Sequence, residues 1–307
     1  MFRHQTGPLT LHRRAPGLHA ATYDHVVIVP VAPTLGAFVG GVDLAHPSPE
    51  QLGDIDRALA EHKVLFFRDQ RLTLEQHASF AAHWGPLVDD QLVLRQAPDP
   101  LDNMVEFTRD ATVVAYENEW HTDGTFRAVP PFATVLRAID VPAVGGDTLF
   151  ADMAAAYDNL GPALQERIAG LTAIHDWSIG AYASKYGDRL GELRELVPPV
   201  EHPLAICHPS TGRATLFVNR LFTREVVGLA PDESDALLDR LCRQAELPEL
   251  QARIHWEPGT VACWDNVAVQ HYGANDYHPA VRTMARAAIA GDQSRWPAEP
   301  AWTSSPS

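Results

Sequence analysis

The chain has 307 residues, enough for one large or two ordinary domains, and a hydrophobic share of 46% that allows a sizeable core. Its 24 basic residues against 39 acidic ones give a net charge of -15, which argues against binding to the phosphate backbone of nucleic acid. Two explanations of this acidity stay open: solubility, or an acidic pocket for a cationic substrate.

The three cysteines are Cys207, Cys242 and Cys263, widely separated and without a Cys-x-x-Cys pair. This spacing excludes a disulfide framework and a zinc finger. No stretch resembles a signal peptide, and no window approaches the roughly 18 apolar residues of a membrane span. We therefore expect a cytoplasmic protein that does not enter a membrane.

The first half of the chain predicts strands and two capped helices. Residues 1–22 lack periodicity and are expected to be an N-terminal extension. Ser-Pro-Glu-Gln at 48–51 and Thr-Leu-Glu-Gln at 73–76 are capping boxes, which open helices reaching about residues 61 and 84. Runs rich in β-branched and aromatic residues predict strands at 25–31 and 63–67.

From about residue 104 the chain is predicted to form mostly short strands joined by Gly and Pro turns. Strands are predicted at 104–107, around His121, and at 132–139, 147–151, 171–177, 215–219, 260–264 and 282–290, and helices at 153–160, 162–169 and 232–245. No Gly-x-Gly-x-x-Gly or phosphate-binding loop is present. The pattern favours a mainly β fold with flanking helices, a jelly-roll or sandwich, as one domain over 23–292 with a C-terminal tail at 293–307.

The segment around residue 121 carries the first candidate metal ligands. On a strand, His121 and Asp123 would project from the same face, with their backbones about 7 Å apart. An imidazole and a carboxylate supply two thirds of the 2-His-1-carboxylate site that binds oxygen-activating Fe(II). A second imidazole must then come from elsewhere in the chain.

Of the 15 histidines, His271 is the best candidate for that third ligand. It follows the predicted strand 260–264 and a turn, whereas most of the other histidines lie in the N-terminal segment, in helical patterns or at strand ends. Arg282 and Arg286 follow, four residues apart on one face of a predicted strand with apolar surroundings. Such arginines need anions, which could be structural carboxylates or the carboxylate of a substrate or cosubstrate.

Four motifs and their order resemble the taurine dioxygenase family of Fe(II)- and 2-oxoglutarate-dependent dioxygenases, whose core is a double-stranded β-helix, or jelly-roll. They are Trp-His-Thr-Asp-Gly-Thr-Phe (120–126), Gly-Gly-Asp-Thr-Leu (145–149), Trp-Asp-Asn-x4-Gln-His-Tyr (264–272) and Arg-x3-Arg (282–286). Further similarity at 40–44 and 64–70 extends the resemblance over about residues 25–292.

The resemblance implies a role for each matched residue. His121, Asp123 and His271 are the implied catalytic iron ligands, and Arg282 with Thr148 is implied to bind the distal carboxylate of 2-oxoglutarate. Arg286 matches a second arginine near the cosubstrate or substrate. The implied cofactors are Fe(II), 2-oxoglutarate and O2, and the implied reaction hydroxylates an unactivated C–H bond of a small molecule while releasing succinate and CO2.

The substrate is expected to differ from taurine, because the residues that match the family's sulfonate site have changed. Glu117 or Asn118 stands where the family has an asparagine, and Phe126 and Phe222 match aromatic positions of the substrate pocket. Asp89, Asp90, Glu117 and Glu119 flank that pocket, so the substrate could carry an amine, although solvated loop charges are the simpler explanation of the same cluster.

Other outcomes stay open at this point. The same machinery could desaturate the substrate or cleave a carbon–heteroatom bond, as with a sulfonate. A non-catalytic metal-binding jelly-roll or a zinc hydrolase would use the same three ligands but would leave Arg282 unexplained. The helices and the C-terminal tail, which contains tryptophans, could support a homo-oligomer.

Overall fold

The computed structural model describes residues 23–88, 100–112, 118–184, 186–292, 294 and 296. The predicted extension at 1–22, most of the tail at 293–307, and the acidic residues Asp89, Asp90 and Glu117 lie outside the described residues. In the described part, no helix is long and apolar enough to cross a membrane.

Both capping boxes open a helix, as predicted. The Ser48 hydroxyl accepts a hydrogen bond from the Gln51 amide, and the Thr73 hydroxyl accepts one from the Gln76 amide. The α-helices are α1 (Pro49–His62), α2 (Leu74–Ala81), α3 (Met153–Asp158), α4 (Pro162–Ile168), α5 (Ala181–Ser184), α6 (Leu190–Leu196) and α7 (Pro231–Cys242). Short 3-10 helices cover Ala82–Trp84, Pro100–Asn103, Gly187–Arg189, Arg243–Glu246 and Pro248–Leu250.

The strands build one large sheet and three small ones. They are β1 (Val27–Pro30), β2 (Ala37–Gly40), β3 (Val64–Phe67), β4 (Leu87–Val88), β5 (Val105–Arg109), β6 (Ala133–Asp140), β7 (Thr148–Asp152), β8 (Thr172–His175), β9 (Val200–Pro203), β10 (Ala205–Cys207), β11 (Ala214–Leu216), β12 (Thr223–Val226), β13 (Gln251–Ile254), β14 (Val261–Asp265), β15 (Val269–Gly273) and β16 (Arg282–Ile289). The large sheet has the order β1-β2-β3-β14-β6-β16-β4, with β5 also paired to β16.

The small sheet β13-β7-β15 faces the inner side of the large sheet. Met284 of β16, Phe150 of β7 and Trp264 of β14 share the apolar layer between the two sheets. A second layer packs α1 and α2 on the outer side of the large sheet, and a third packs α3, α4 and α7 against the small sheet. This two-sheet arrangement with outer helices is the predicted jelly-roll, and its mainly β class is confirmed.

The strand predicted around His121 is wrong. Only His121 itself pairs, in an isolated antiparallel bridge to His271 of β15. The chain turns directly afterwards, because Gly124 adopts a left-handed φ of 64° and its carbonyl accepts a hydrogen bond from the Arg127 amide at 2.9 Å. A turn therefore carries Asp123 back toward the imidazoles.

Candidate active site

The three candidate ligands converge at the edge of the small sheet. The Nε2 atoms of His121 and His271 lie 3.6 and 3.7 Å from the same oxygen, Oδ1 of Asp123. One ligand atom from each residue falls within 4.8 Å of the others, and all three residues are buried. The described residues contain no other such group of three. Two imidazoles and one carboxylate are a donor set that suits Fe(II) and leaves coordination positions open.

Main-chain hydrogen bonds place the two imidazoles side by side. The His121 amide donates to the His271 carbonyl at 3.1 Å, and the His271 amide donates back to the His121 carbonyl at 2.8 Å. The rings consequently lie 4.2 Å apart, centroid to centroid. The Thr122 hydroxyl adds a hydrogen bond to the Val269 carbonyl at 2.9 Å, which fastens the 120–126 turn to β15.

A hydrogen bond to one imidazole and burial of the other prepare the pair for metal binding. Nδ1 of His121 lies 2.6 Å from the Glu119 carbonyl oxygen. Since a carbonyl only accepts, Nδ1 carries the proton and Nε2 presents its lone pair to the site. Burial, and secondly the neighbouring His121, lowers the pKa of His271 well below its usual value, so that this imidazole is neutral.

Asn266 fixes the backbone of Asp123. Its side-chain oxygen accepts from the Asp123 amide at 3.0 Å, and its side-chain nitrogen donates to the carbonyls of Asp123 at 2.9 Å and Pro131 at 3.0 Å. Asn266 is completely buried. The sequence contains it in the motif at 264–272, but no role could be assigned to it there because its partners are main-chain atoms.

Arg286 lies at the metal end of the site. Its Nη1 is 3.6 Å from Oδ2 of Asp123, the carboxylate oxygen that also accepts from the Thr134 hydroxyl at 3.5 Å. Arg286 and Arg282 project from the same face of β16, as predicted from their spacing. Four residues of strand separate their backbones by about 13 Å, so the two arginines lie at different positions along β16.

Thr148 and Arg282 stand on β7 and β16, the strands that carry or flank the rest of the site. Thr148 opens β7 opposite Gly273, two positions along the β7–β15 pair from Phe150 and His271. Its side chain therefore faces the same interior as His271. Arg282 is buried, and Gly146, just before this strand, leaves space for its side chain: a Cβ there would lie 3.3 Å from Cδ of Arg282.

The aromatic residues predicted for the substrate pocket stand beside His121. The Phe222 ring lies 6.4 Å from the His121 ring, edge to face, and the Phe126 ring lies 4.9 Å from Phe222. Both belong to an apolar cluster with Trp177, Leu193 and Leu221. Asn118 is exposed three residues before His121, and Glu117 lies outside the described residues.

A second buried amide side chain, for which the sequence predicted no role, links the cluster around Phe222 to the 120–126 turn. The Asn219 side chain donates to the Thr125 hydroxyl at 3.0 Å and accepts from the Phe222 amide at 2.8 Å. An Asn between two apolar runs gave no signal of such a role. It joins the substrate side of the site to the segment that carries Asp123.

Comparisons with known proteins agree with this geometry. The sequence model of the family described as taurine catabolism dioxygenase TauD, TfdA family matches residues 28–288. An alkylsulfatase of Acinetobacter baylyi is 33% identical over 84% of this chain and 83% of its own length. An (S)-phenoxypropionate/alpha-ketoglutarate-dioxygenase of Sphingobium herbicidovorans is 35% identical over 86% of this chain and 95% of its own.

A solved structure shows the same fold. A taurine dioxygenase from Burkholderia xenovorans superposes with a TM-score of 0.74 at 32% identity, covering 87% of this chain and 92% of that one. Together these relatives fit Fe(II)- and 2-oxoglutarate-dependent oxidation of a small molecule, and they do not favour desaturation, carbon–heteroatom cleavage or metal binding without catalysis. The chain belongs to the taurine catabolism dioxygenase TauD, TfdA family, and is a dioxygenase that uses Fe(II), 2-oxoglutarate and O2.

Proposed function

We propose that this enzyme hydroxylates a C–H bond of a small organic anion with an apolar body. His121, Asp123 and His271 hold Fe(II), Thr148 and Arg282 bind the distal carboxylate of 2-oxoglutarate, and Arg286 attracts the anionic group of the substrate. Iron supplies the oxidising chemistry when 2-oxoglutarate and O2 are bound. Residues 23–292 form the single jelly-roll domain that carries this site.

The position of Arg286 carries the proposal. A guanidinium 3.6 Å from the ligand carboxylate, in a site that also has the Phe222 ring 6.4 Å from the His121 ring, suits a substrate with one negative charge and an apolar portion. The names of the relatives agree, since sulfates, taurine and phenoxypropionate all bear an anionic group. Phe126 and Phe222 would contact the apolar body of the substrate.

The amine-bearing substrate predicted from the acidic cluster is the competing proposal. Asp89, Asp90 and Glu117 lie outside the described residues, and Glu119 is exposed. No described contact therefore supports a cation site there. Asn118 stays a predicted substrate contact on the same segment.

Matched substrates separate the two proposals. We would measure succinate release with phenoxyalkyl compounds that end in a sulfate, a sulfonate, a carboxylate or an amine, and identify the product by mass. Turnover of the anions is expected, with a product one oxygen heavier or, where the hydroxylated carbon bears the phenoxy or sulfate oxygen, the carbonyl compound and the phenol or sulfate into which that product separates. Preference for the amine would overturn the anion proposal in favour of the acidic cluster.

Arg286→Gln tests the role of the guanidinium. We expect KM for the preferred anion to rise about tenfold or more, since a charge-assisted contact is lost. Arg240→Gln, a change of an exposed arginine on α7, is the matched control and should leave KM unchanged. An unaltered KM in Arg286→Gln would show that this arginine only pairs with Asp123.

The cofactor assignment has its own test. Anaerobic addition of Fe(II) and 2-oxoglutarate should produce a visible charge-transfer band that requires both components. His121→Ala and Asp123→Ala should abolish the band, and Arg282→Gln should shift its 2-oxoglutarate dependence to higher concentration. A zinc hydrolase or a metal-storage protein would give no such band.

The cellular compartment and the oligomeric state are the two remaining parts of the proposal. The three cysteines are free, and burial raises the pKa of the Cys242 thiol to about 12, which agrees with the expected reducing cytoplasmic setting. A homo-oligomer stays a prediction, which size-exclusion chromatography with light scattering would test.

A further inference from the structure

Trp256 touches both residues that we assign to the distal carboxylate of 2-oxoglutarate. It follows β13 and is almost fully buried in the layer between the sheets. Its indole Nε1 donates a hydrogen bond to Oγ1 of Thr148 at 3.0 Å. The Arg282 guanidinium carbon lies 5.9 Å from the centre of the same indole ring.

The indole N–H determines which way the Thr148 hydroxyl can point. An indole nitrogen only donates, whereas a hydroxyl has one proton to donate and lone pairs to accept. Because Oγ1 accepts from Trp256, the hydroxyl proton must be directed to a different acceptor. A carboxylate oxygen between Thr148 and Arg282 is an acceptor of the required kind.

The ring of Trp256 also attracts the Arg282 guanidinium. A guanidinium over an aromatic face is attracted by the ring quadrupole, the more so when water is excluded, as it is around buried Arg282. Gly146 packs closely against the Arg282 stem, since a Cβ at Gly146 would lie 3.3 Å from Cδ of Arg282. One side chain thus orients both anion-binding groups.

We propose that Trp256 is a positioning residue for 2-oxoglutarate, which turns the Thr148 hydroxyl into a donor and holds the Arg282 guanidinium over its ring. This inference rests on the proposed function, because it assumes that Thr148 and Arg282 bind the distal carboxylate. Trp256 does not itself contact iron or substrate in this assignment.

The experiment measures binding without turnover. The charge-transfer band of anaerobic Fe(II)-loaded protein gives the dissociation constant of 2-oxoglutarate, and the same titration with 2-oxobutanoate reports a ligand that lacks the distal carboxylate. In Trp256→Phe we expect 2-oxoglutarate to bind about tenfold more weakly. The affinity for 2-oxobutanoate should stay within twofold of the wild-type value.

Two further variants tie the effect to the hydrogen bond. In a Thr148→Val background, Trp256→Phe should add much less than its effect alone, because the accepting hydroxyl is already gone. Trp84→Phe is the control: that indole donates to Oδ1 of Asp56 at 2.9 Å and packs on the outer side of the large sheet with α1 and α2. It should leave the 2-oxoglutarate affinity unchanged.

The outcomes distinguish this inference from the proposed function. If Arg282→Gln weakens 2-oxoglutarate binding but Trp256→Phe does not, the positioning role is wrong and the proposed site stands. If Arg282→Gln has no effect either, the proposed site itself is wrong. Equal weakening of both ligands in Trp256→Phe would show a general packing defect and would overturn the inference. Should Trp256→Phe fail to fold by circular dichroism, Trp256→Leu, which also lacks the N–H donor, replaces it and should weaken 2-oxoglutarate binding at least as much.

Discussion

Asp123 owes its position to a neighbour that never touches its carboxylate. The side chain of Asn266 meets the amide and the carbonyl of Asp123, and also the Pro131 carbonyl on the far side of the turn. These three hydrogen bonds require an amide side chain, because they need one acceptor and two donors at once. A ligand carboxylate on a turn thereby gains the rigidity that a strand would otherwise supply.

Replacement of Asn266 tests this role. Asn266→Asp keeps the acceptor for the Asp123 amide but cannot donate to the two carbonyls, whereas Asn266→Ala removes all three hydrogen bonds. We expect Asn266→Ala to weaken Fe(II) binding at least tenfold, as outer-shell changes at metal sites do. It should also lower the free energy of unfolding by about 2 kcal/mol through buried unsatisfied groups.

Fe(II) titration and urea unfolding of the metal-free protein measure the two effects separately. Thr134→Val, which removes only the long 3.5 Å contact to Asp123, is the milder comparison. Fe(II) affinity that is unchanged in both Asn266 variants would contradict the positioning role.

At the scale of elements, a buried ion pair joins the end of one helix to the start of another. Lys63, in the left-handed region at the C-terminus of α1, places Nζ 3.0 Å from Oδ2 of Asp152 and 2.8 Å from the Thr34 carbonyl. The other oxygen of Asp152 caps α3 by accepting from the amides of Ala154 and Ala155. The contact links α1, beside the large sheet, with α3, beside the small one.

A double-mutant cycle tests this link. Lys63→Met alone leaves a buried carboxylate without its cation and should cost about 3 kcal/mol of unfolding free energy. Lys63→Met combined with Asp152→Asn, which retains the capping oxygen, should recover most of that loss. Urea unfolding of the four proteins gives the coupling energy; strictly additive losses would contradict a specific pair.

Sequence patterns predicted the elements whose cause is local. The capping boxes at Ser48 and Thr73 placed α1 and α2, because both partners of each cap lie within four residues. The turn after His121 was missed, since alternation of His and Asp suits a strand and the bridge to His271 depends on a chain segment 150 positions away. Side-chain types revealed the ligands, but Asn219, Trp256 and Asn266 act through distant partners that no local pattern shows.

The molecule as a whole buries several neutral histidines. Burial is the first cause that lowers the pKa of each: His77 under β6, His175 and His202 behind the ligand turn, and His271 in the site. For His77 the pKa falls to about 4, and its Nε2 lies 3.2 Å from the Val135 carbonyl. Such a histidine binds a proton more readily in the unfolded chain than in the folded protein. Acid therefore lowers the free energy of unfolding.

The lowered pKa values determine the pH range over which these histidines contribute to stability. Each contribution to stability is fully present above the unfolded pKa of about 6.5 and is lost as pH falls toward the folded value. His77 alone should account for a loss of about 2 kcal/mol between pH 7 and pH 5. Urea unfolding of the metal-free protein at both pH values measures the total.

His77→Gln is the diagnostic variant, since glutamine cannot titrate. The difference in unfolding free energy between pH 7 and pH 5 should shrink by about 2 kcal/mol relative to the wild type, whatever the variant's absolute stability. His46→Gln, at an exposed position, should leave the difference as it was. An identical pH response in His77→Gln and the wild type would place the acid sensitivity elsewhere.

The reciprocal hydrogen bonds between His121 and His271 are made by main-chain atoms, so they survive any change of either side chain. Replacing one of these histidines by alanine should therefore leave the backbone in place around a cavity with the shape of the missing ring. Chemical complementation follows from this: free imidazole added to His271→Ala should restore part of the Fe(II)- and 2-oxoglutarate-dependent absorption band. In Asp123→Ala, where Asn266 still holds the main chain of residue 123, added acetate should likewise restore part of the band.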